Sequence, residues 1–352
     1  VTGDDRLMRK AISDFYHSRV PEGLTQGRYP SSRLQVIPPF SLFWVSMVYD
    51  YWMHRNDNAF VKEFMVPISG VLDWYEKKID PTKKMLGPMQ WWNFVDWNLS
   101  FDGGVPDGAN DGNSSVITLQ YVATLEQAAK LFKQFGKLDQ AKHYQSLATQ
   151  LKAGTYAACF NASRNLMANT PNKKAYSQHA SIMGVLTGAI PTSQQKNVMQ
   201  NVLKDTTISQ ATFYYRFYLN QALKKAGMAN NYYAELKPWR DMIANGLTTF
   251  AENPDPTRSD CHAWSASPNA SKKPIKGLKM ARKQAKEKPV IHTRPIMSSY
   301  SYPYNYDYDS EWLGEVRPAT YKSALENDLE YLLDEFHADG LTQASRVEVK
   351  QI

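Results

Sequence analysis

From Val1 to Ala270 the chain is a succession of segments whose apolar residues recur at helical spacing, with very few strand signals between them. "DDRLMRKAISDFYHSRV" puts Leu7, Ile12 and Phe15 on one face, with Asp4 and Asp5 placed as helix caps. "PPFSLFWVSMVYDYWMHRND" starts on two prolines, which suit a helix N-terminus, and is apolar almost all round, so most of its faces are expected to be buried. "NAFVKEFMVPISGVLDWYEKKI", "SSVITLQYVATLEQAAKLFKQFG" and "KLDQAKHYQSLATQLKAGTYAACF" follow, and further helical patterns cover 178–186, 194–203, 211–226 and 232–245. The chain reads as all-α, with 43% apolar residues to fill its core.

Long polar loops at 23–37, 87–113 and 246–260 alternate with short turns. Antiparallel helix hairpins joined in this way build either a solenoid or a closed double ring. No fixed sequence repeat is visible, which favours the ring, with the long loops lining its mouth. No run of about 18 apolar residues is present, so no transmembrane helix and no membrane insertion are expected. The first residues lack a signal-peptide profile, and because the chain opens on Val1 its natural start is expected upstream.

The formal charge of +7 is local. Between Ala270 and Ile296 nine Lys and Arg stand against one acid, Glu287, which leaves 32 basic and 33 acidic residues elsewhere. That basic segment has no interleaved aromatics for base stacking, so it reads as a solvated linker and nucleic acid is not an expected partner. After it come a Tyr-rich irregular stretch and one amphipathic pattern, "ATYKSALENDLEYLLDEFHADG". The expected divisions are 1–269, 270–318 and 319–352. Cys159 and Cys261 are expected to be buried free thiols, although two cysteines could also pair.

Chemistry concentrates in two of the loops. "MQWWNFVDWNLSFDGGVPDG" gathers Trp91, Trp92, Trp97, Asp96 and Asp102, and "GLTTFAENPDPTRSDCHAWSASP" gathers Glu252, His262 and Trp264. Indole faces stack on the C–H faces of sugars while carboxylates accept hydroxyl hydrogen bonds, so both loops suit a carbohydrate pocket. The same residues also suit a Trp-rich core corner edged by surface acids. His262 equally suits a packed, hydrogen-bonded histidine, and Trp92 and Trp264 suit core as well as pocket. HExxH, zinc-spaced Cys, GxSxG, Walker and GxGxxG motifs are all missing, so no metal and no cofactor are expected. Carboxylates among aromatics are the equipment of glycoside hydrolysis.

Over about Val1 to Asn269 the chain resembles the catalytic barrel of α-L-rhamnosidases of glycoside hydrolase family 78. The carriers are "EGLTQGRYPSSRLQVIPPFSLFWV", "FVDWNLSF" where the family often has Gly-Asp-Trp, "GLTTFAE" and "CHAWSASP". The resemblance implies an (α/α)6 barrel, a six-hairpin toroid, and removal of terminal α-L-rhamnose from glycosides or polysaccharides with inversion. It also implies a periplasmic or extracellular location in gut-type bacteria and a rhamnose-containing glycoside as partner. Carried over by position, Glu252 matches the general base, Asp96 and Trp97 match sugar-pocket residues, and His262 matches a histidine beside them. Trp92, Asp102 and Trp264 complete the expected substrate-binding set.

Two departures accompany the resemblance. The family's acid-rich segment, which holds its general acid, has no counterpart here, and about ten helical patterns precede Ala270 where twelve complete the barrel. The expected barrel is therefore short of an element at its N-terminus, with the general acid upstream of Val1. The second departure is the basic segment that follows "CHAWSASPN". The alternative function is a carbohydrate-binding, catalytically impaired relative that keeps the aromatic pocket without an acid.

Overall fold

Helix formation follows the apolar spacing, and its exceptions have local causes. In the computed structural model, residues 4–55, 57–254, 257–259 and 261–270 are described. The expected basic, Tyr-rich and C-terminal helical segments beyond Ala270 lie outside them. The chain forms two compact units, Val1–Tyr232 and Tyr233–Ile352.

In the first unit α1 (Arg6–His17) buries Ile12. Of its two expected caps, Asp4 accepts the Arg6 backbone N–H at 3.0 Å. Beside Arg6, the Asp4 carboxyl is held down at about 2. Asp5 is not a side-chain cap: it accepts the Tyr51 hydroxyl at 2.9 Å and so ties α1 to α2 (Pro38–His54). α2 starts at its two prolines and buries Leu42, Trp44, Val45, Val48 and Tyr51, while the Trp44 indole donates to the Ile12 carbonyl at 3.0 Å. The single helix expected from Asn58 onward is instead two, α3 (Asn58–Lys62) and α4 (Met65–Glu76). Pro67 has no N–H to offer the Glu63 carbonyl, and restarting the helix places that proline harmlessly in the first turn of α4.

Two of the following helix ends lead into small hairpins. After α4, β1 (Ile79–Asp80) pairs antiparallel with β2 (Met85–Leu86), with Ile79 opposite Leu86. After α5 (Ser115–Gln134) and α6 (Leu138–Cys159), β3 (Phe160–Asn161) pairs with β4 (Leu166–Met167) in the same register pattern. Asp80 and Asn161 each fold their turn by accepting a following backbone N–H, from Thr82 at 2.8 Å and from Arg164 at 3.1 Å. A repeat invisible as sequence identity thus exists as a structural unit: helix, hairpin, long loop, helix.

α5 is the centre of this unit. Fourteen of its residues are buried, because α2, α6 and α7 (Gln178–Thr187) all pack on it. Its polar side chains inside are used: Tyr121 donates to the Leu72 carbonyl at 2.9 Å and Gln120 to the Pro39 carbonyl at 3.1 Å. Gly136, at φ +73°, turns the chain back into α6. α8 (Thr192–Lys204) and α9 (Phe213–Lys225) pack beside α7.

α10 (Tyr232–Glu235) leads into the second unit, where α11 (Lys237–Ala244) begins with Pro238 in its first turn. The break between them corrects the continuous helix expected over 232–245, for the same reason as at Pro67. β5 (Asn253–Pro254) pairs with β6 (Thr257–Arg258), and the short α12 (Ser267–Ala270) closes the described chain. Both cysteines are free as expected, but Cys261 is exposed where burial was expected, since it sits in this second loop outside any helix. Burial pushes the Cys159 thiol up to about 12. No described helix is long and apolar enough to cross a membrane.

Candidate functional site

In the first unit the Trp-rich loop folds back on itself between Phe94 and Gly104. Val95 and Asp96 both donate their backbone N–H to the Gly104 carbonyl, at 2.9 and 3.3 Å. Gly104 adopts φ +79°, and a Cβ there would come within 2.4 Å of the Phe94 ring, so this turn requires glycine. Phe94 in turn supports Trp97, edge to face at 5.0 Å, with Trp92 tilted 5.8 Å from Trp97. Trp92 is half-buried and its indole N–H is taken by the Gly103 carbonyl at 2.9 Å. Trp97 is 38% exposed. Trp91 stacks on Trp74 at 5.7 Å, and Asp102 is exposed at the tip of the fold-back.

Asp96 has no exposure at all. Its carboxylate accepts His179 Nε2 at 2.7 Å, the Thr212 backbone N–H at 3.0 Å and the Thr212 hydroxyl. His179 lies in the first turn of α7 and reaches Asp96 with its ring, while Thr212 immediately precedes α9, so the buried charge sits at the N-terminus of α9 and among three donors. The His179 ring is enclosed by Phe101 at 4.9 Å and Tyr215 at 4.3 Å. Burial, reinforced by the Asp96 charge, raises the Tyr214 and Tyr215 hydroxyls well above the phenol range, so both stay neutral beside it. A second tether runs from the Asn98 side-chain amide to the Gln210 carbonyl.

In the second unit Glu252 directly precedes β5. Its backbone N–H donates to the Ser259 carbonyl at 3.2 Å, and His262 donates to the Phe250 carbonyl at 2.7 Å, so the two strand flanks bring Glu252 and His262 together. His262 Nδ1 stands 3.9 Å from Glu252 Oε2, with side chains 32% and 5% exposed. The His262 ring packs on half-buried Trp264 at 4.4 Å. Below them the Trp239 indole donates to the Ser265 carbonyl at 2.7 Å and fixes the 263–265 turn on α11. Among the described residues no group of three or more His, Cys, Asp or Glu could hold a metal ion.

The sequence model of the bacterial alpha-L-rhamnosidase six-hairpin glycosidase domain matches residues 2–270. The chain belongs to that family. Its fold is accordingly the all-α (α/α)6 barrel class. Among solved structures, the family 78 rhamnosidase of Bacillus sp. GL1 superposes with a TM-score of 0.68 at 22% identity, over 76% of this chain and 29% of that one. A rhamnosidase from Klebsiella oxytoca with rhamnose bound gives 0.64 at 21% identity, over 74% of this chain and 52% of that one. The Streptomyces avermitilis alpha-L-rhamnosidase complexed with L-rhamnose gives 0.56 at 17%, over 74% and 26%. The chain therefore spans between about a quarter and a half of these relatives' lengths. No curated protein sequence matches it.

Within this glycosidase domain, each unit gathers its own share of the expected residues. Trp92, Asp96, Trp97 and Asp102 share one fold-back in the first, and Glu252, His262 and Trp264 share one strand pair and its turn in the second. His179 and Thr212 were not among the expected site residues. His179 sits in an apolar helical pattern, "SQHASIMGVL", and such a polar intruder was the one available signal.

Proposed function

We propose that this glycosidase domain acts on terminal α-L-rhamnose by an inverting mechanism, with Glu252 as general base. The observation that carries the assignment is the nearly enclosed Glu252 carboxylate beside a half-exposed histidine ring and an indole, at the position where family members carry their base. In that role Glu252 removes a proton from water while the water oxygen attacks the anomeric carbon. A second carboxyl acid, about 6.5 to 9.5 Å away in inverting enzymes, protonates the departing oxygen on the opposite face as its bond to carbon breaks. His262 orients the Glu252 carboxylate, and Trp264 holds the imidazole.

In the first unit, Trp97 is proposed as a sugar platform, since it alone of the Trp92–Trp97 pair is exposed and makes no hydrogen bond among the described residues. Asp102 is suited to accept a sugar hydroxyl because it reaches solvent. Asp96 contributes by anchoring the platform, its carboxylate being fully enclosed. The named rhamnose complexes of the Klebsiella oxytoca and Streptomyces avermitilis relatives support rhamnose as the sugar.

The test is release of p-nitrophenol from p-nitrophenyl α-L-rhamnoside by the chain and by Glu252→Gln, beside other nitrophenyl glycosides. The family's general acid has no counterpart in this chain, so weak but rhamnose-specific turnover that vanishes in the variant is the expected result. Unchanged turnover in Glu252→Gln would remove the base assignment. A chain that is stabilised by rhamnose without hydrolysing the glycoside would be a sugar-binding relative instead.

A further inference from the structure

Trp97 lies between two tethers, and one buried histidine serves both sides of it. Before Trp97, the Asp96 carboxylate is held by His179 Nε2 at 2.7 Å and by Thr212. After it, Asn98 reaches the Gln210 carbonyl, and the Phe101 ring lies 4.9 Å from the His179 ring. The Asn98 N–H returns to the Asp96 carbonyl at 2.8 Å, which closes a tight turn with Trp97 at its outer corner. His179 therefore touches the segment on both flanks: by a charge-assisted hydrogen bond on one side and by ring packing on the other.

His179 is itself fixed. It occupies the first turn of α7, which Ser177 caps by accepting the Ala180 N–H at 3.3 Å. Its ring is wedged between Phe101 and Tyr215 with no exposure. The Nε2 bond to Asp96 selects the orientation of the ring, while Nδ1 has no partner among the described residues. A buried nitrogen left without a partner costs stability. A leucine at this helix position would pack without that cost but would leave the Asp96 charge one donor short.

We propose that His179 is a positioning residue: through Asp96 and Phe101 it sets the angle at which Trp97 presents its face to the sugar. This rests on Trp97 being the sugar platform proposed above. His179 touches no substrate in this account. It makes the loop a rigid element instead of a solvated one, so that binding rhamnose does not have to order it.

The experiment compares the full chain with His179→Leu, His179→Asn and His179→Gln by hydrogen exchange of individual segments and by L-rhamnose binding, followed through tryptophan fluorescence. Leu offers no donor, and the Asn amide ends near the ring Nδ1 position, short of Asp96. The Gln amide reaches the place of Nε2. Expected is about tenfold or faster exchange over 97–101 in the Leu and Asn variants, with the amides of α5 unchanged, and recovery in the Gln variant. Rhamnose binding should weaken in the same order.

Unchanged exchange over 97–101 in a folded Leu or Asn variant would overturn the proposal. So would acceleration spread evenly over α5 and the loop, which is the mark of a residue that only stabilises. If His179→Leu does not fold, the Asn and Gln pair carries the same comparison. A wild-type chain that fails to bind rhamnose would sink the sugar-platform reading, whereas the exchange pattern would still decide whether His179 positions Trp97.

Discussion

Two carboxylate–histidine pairs are built on the loop acids Asp96 and Glu252, and they differ in nearly everything except composition. Asp96 and His179 lie 2.7 Å apart with no exposure on either side chain. Glu252 and His262 lie 3.9 Å apart, and the histidine is 32% exposed. The first distance is a hydrogen bond and the second is beyond one. In the first pair, one helix N-terminus and three donors hold one charge in a fixed place. In the second, the ring reaches solvent and the spacing leaves room for adjustment. Identical chemistry therefore serves structure where water is excluded and suits proton transfer where water can arrive.

The contrast can be broken most decisively at the two acids. Glu252→Gln should lower rhamnoside turnover by about a thousandfold or more, the scale of a lost general base, with little change in melting temperature. Asp96→Ala should act first on stability, and on rhamnose binding through the loosened Trp97. It strips His179 and Thr212 of a shared buried acceptor, and chemical denaturation should register a loss of about 3 kcal/mol. A variant at Asp96 with native stability would mean that the closed pair is not structural.

The histidines sharpen the same contrast at a smaller scale. His262→Ala should reduce turnover by roughly tenfold, since the ring limits the positions open to the Glu252 carboxylate, and leave stability within about 0.5 kcal/mol because the side chain is partly in solvent. If it unfolded the protein, the open pair would have to be counted as structural too. The smallest effect concerns the cysteines. At pH 8 an aromatic disulfide reagent should label Cys261 promptly and leave Cys159 unreacted in the native chain. Burial holds the Cys159 thiol at about 12, so its reactive thiolate is scarce until the pH approaches that value or the chain unfolds.

Much of the helical framework was legible from apolar spacing alone. α2, α5 and α6 fall within about three residues of their patterns, since a stripe or sleeve of apolar side chains determines both the helix and its burial. The breaks at Phe64 and Leu236 were legible in principle, because Pro67 and Pro238 each lack the N–H a continuous helix would need. Asp5 misled, because a cap is recognised by position whereas its carboxylate found Tyr51, 46 residues away. At the candidate site the sequence could name Asp96, Trp97, Glu252 and His262, but it could not sort the carboxylates. Asp96 reads as a ligand beside Trp97, and only the folded chain encloses it.

Sequence by itself determined the all-α class, the order of the helices, the loops that hold the candidate site residues and the family to which the chain belongs. These follow from local periodicity and from short motifs, which need no knowledge of distant neighbours. Tertiary structure alone decided which acid is fully enclosed, which indole is exposed and which histidine stands behind it. The partners of Asp96 lie 83 and 116 residues along the chain, and no local preference encodes a contact at that separation. Burial strengthens each such contact and penalises its absence, so these long-range pairs settle what each charged side chain can do.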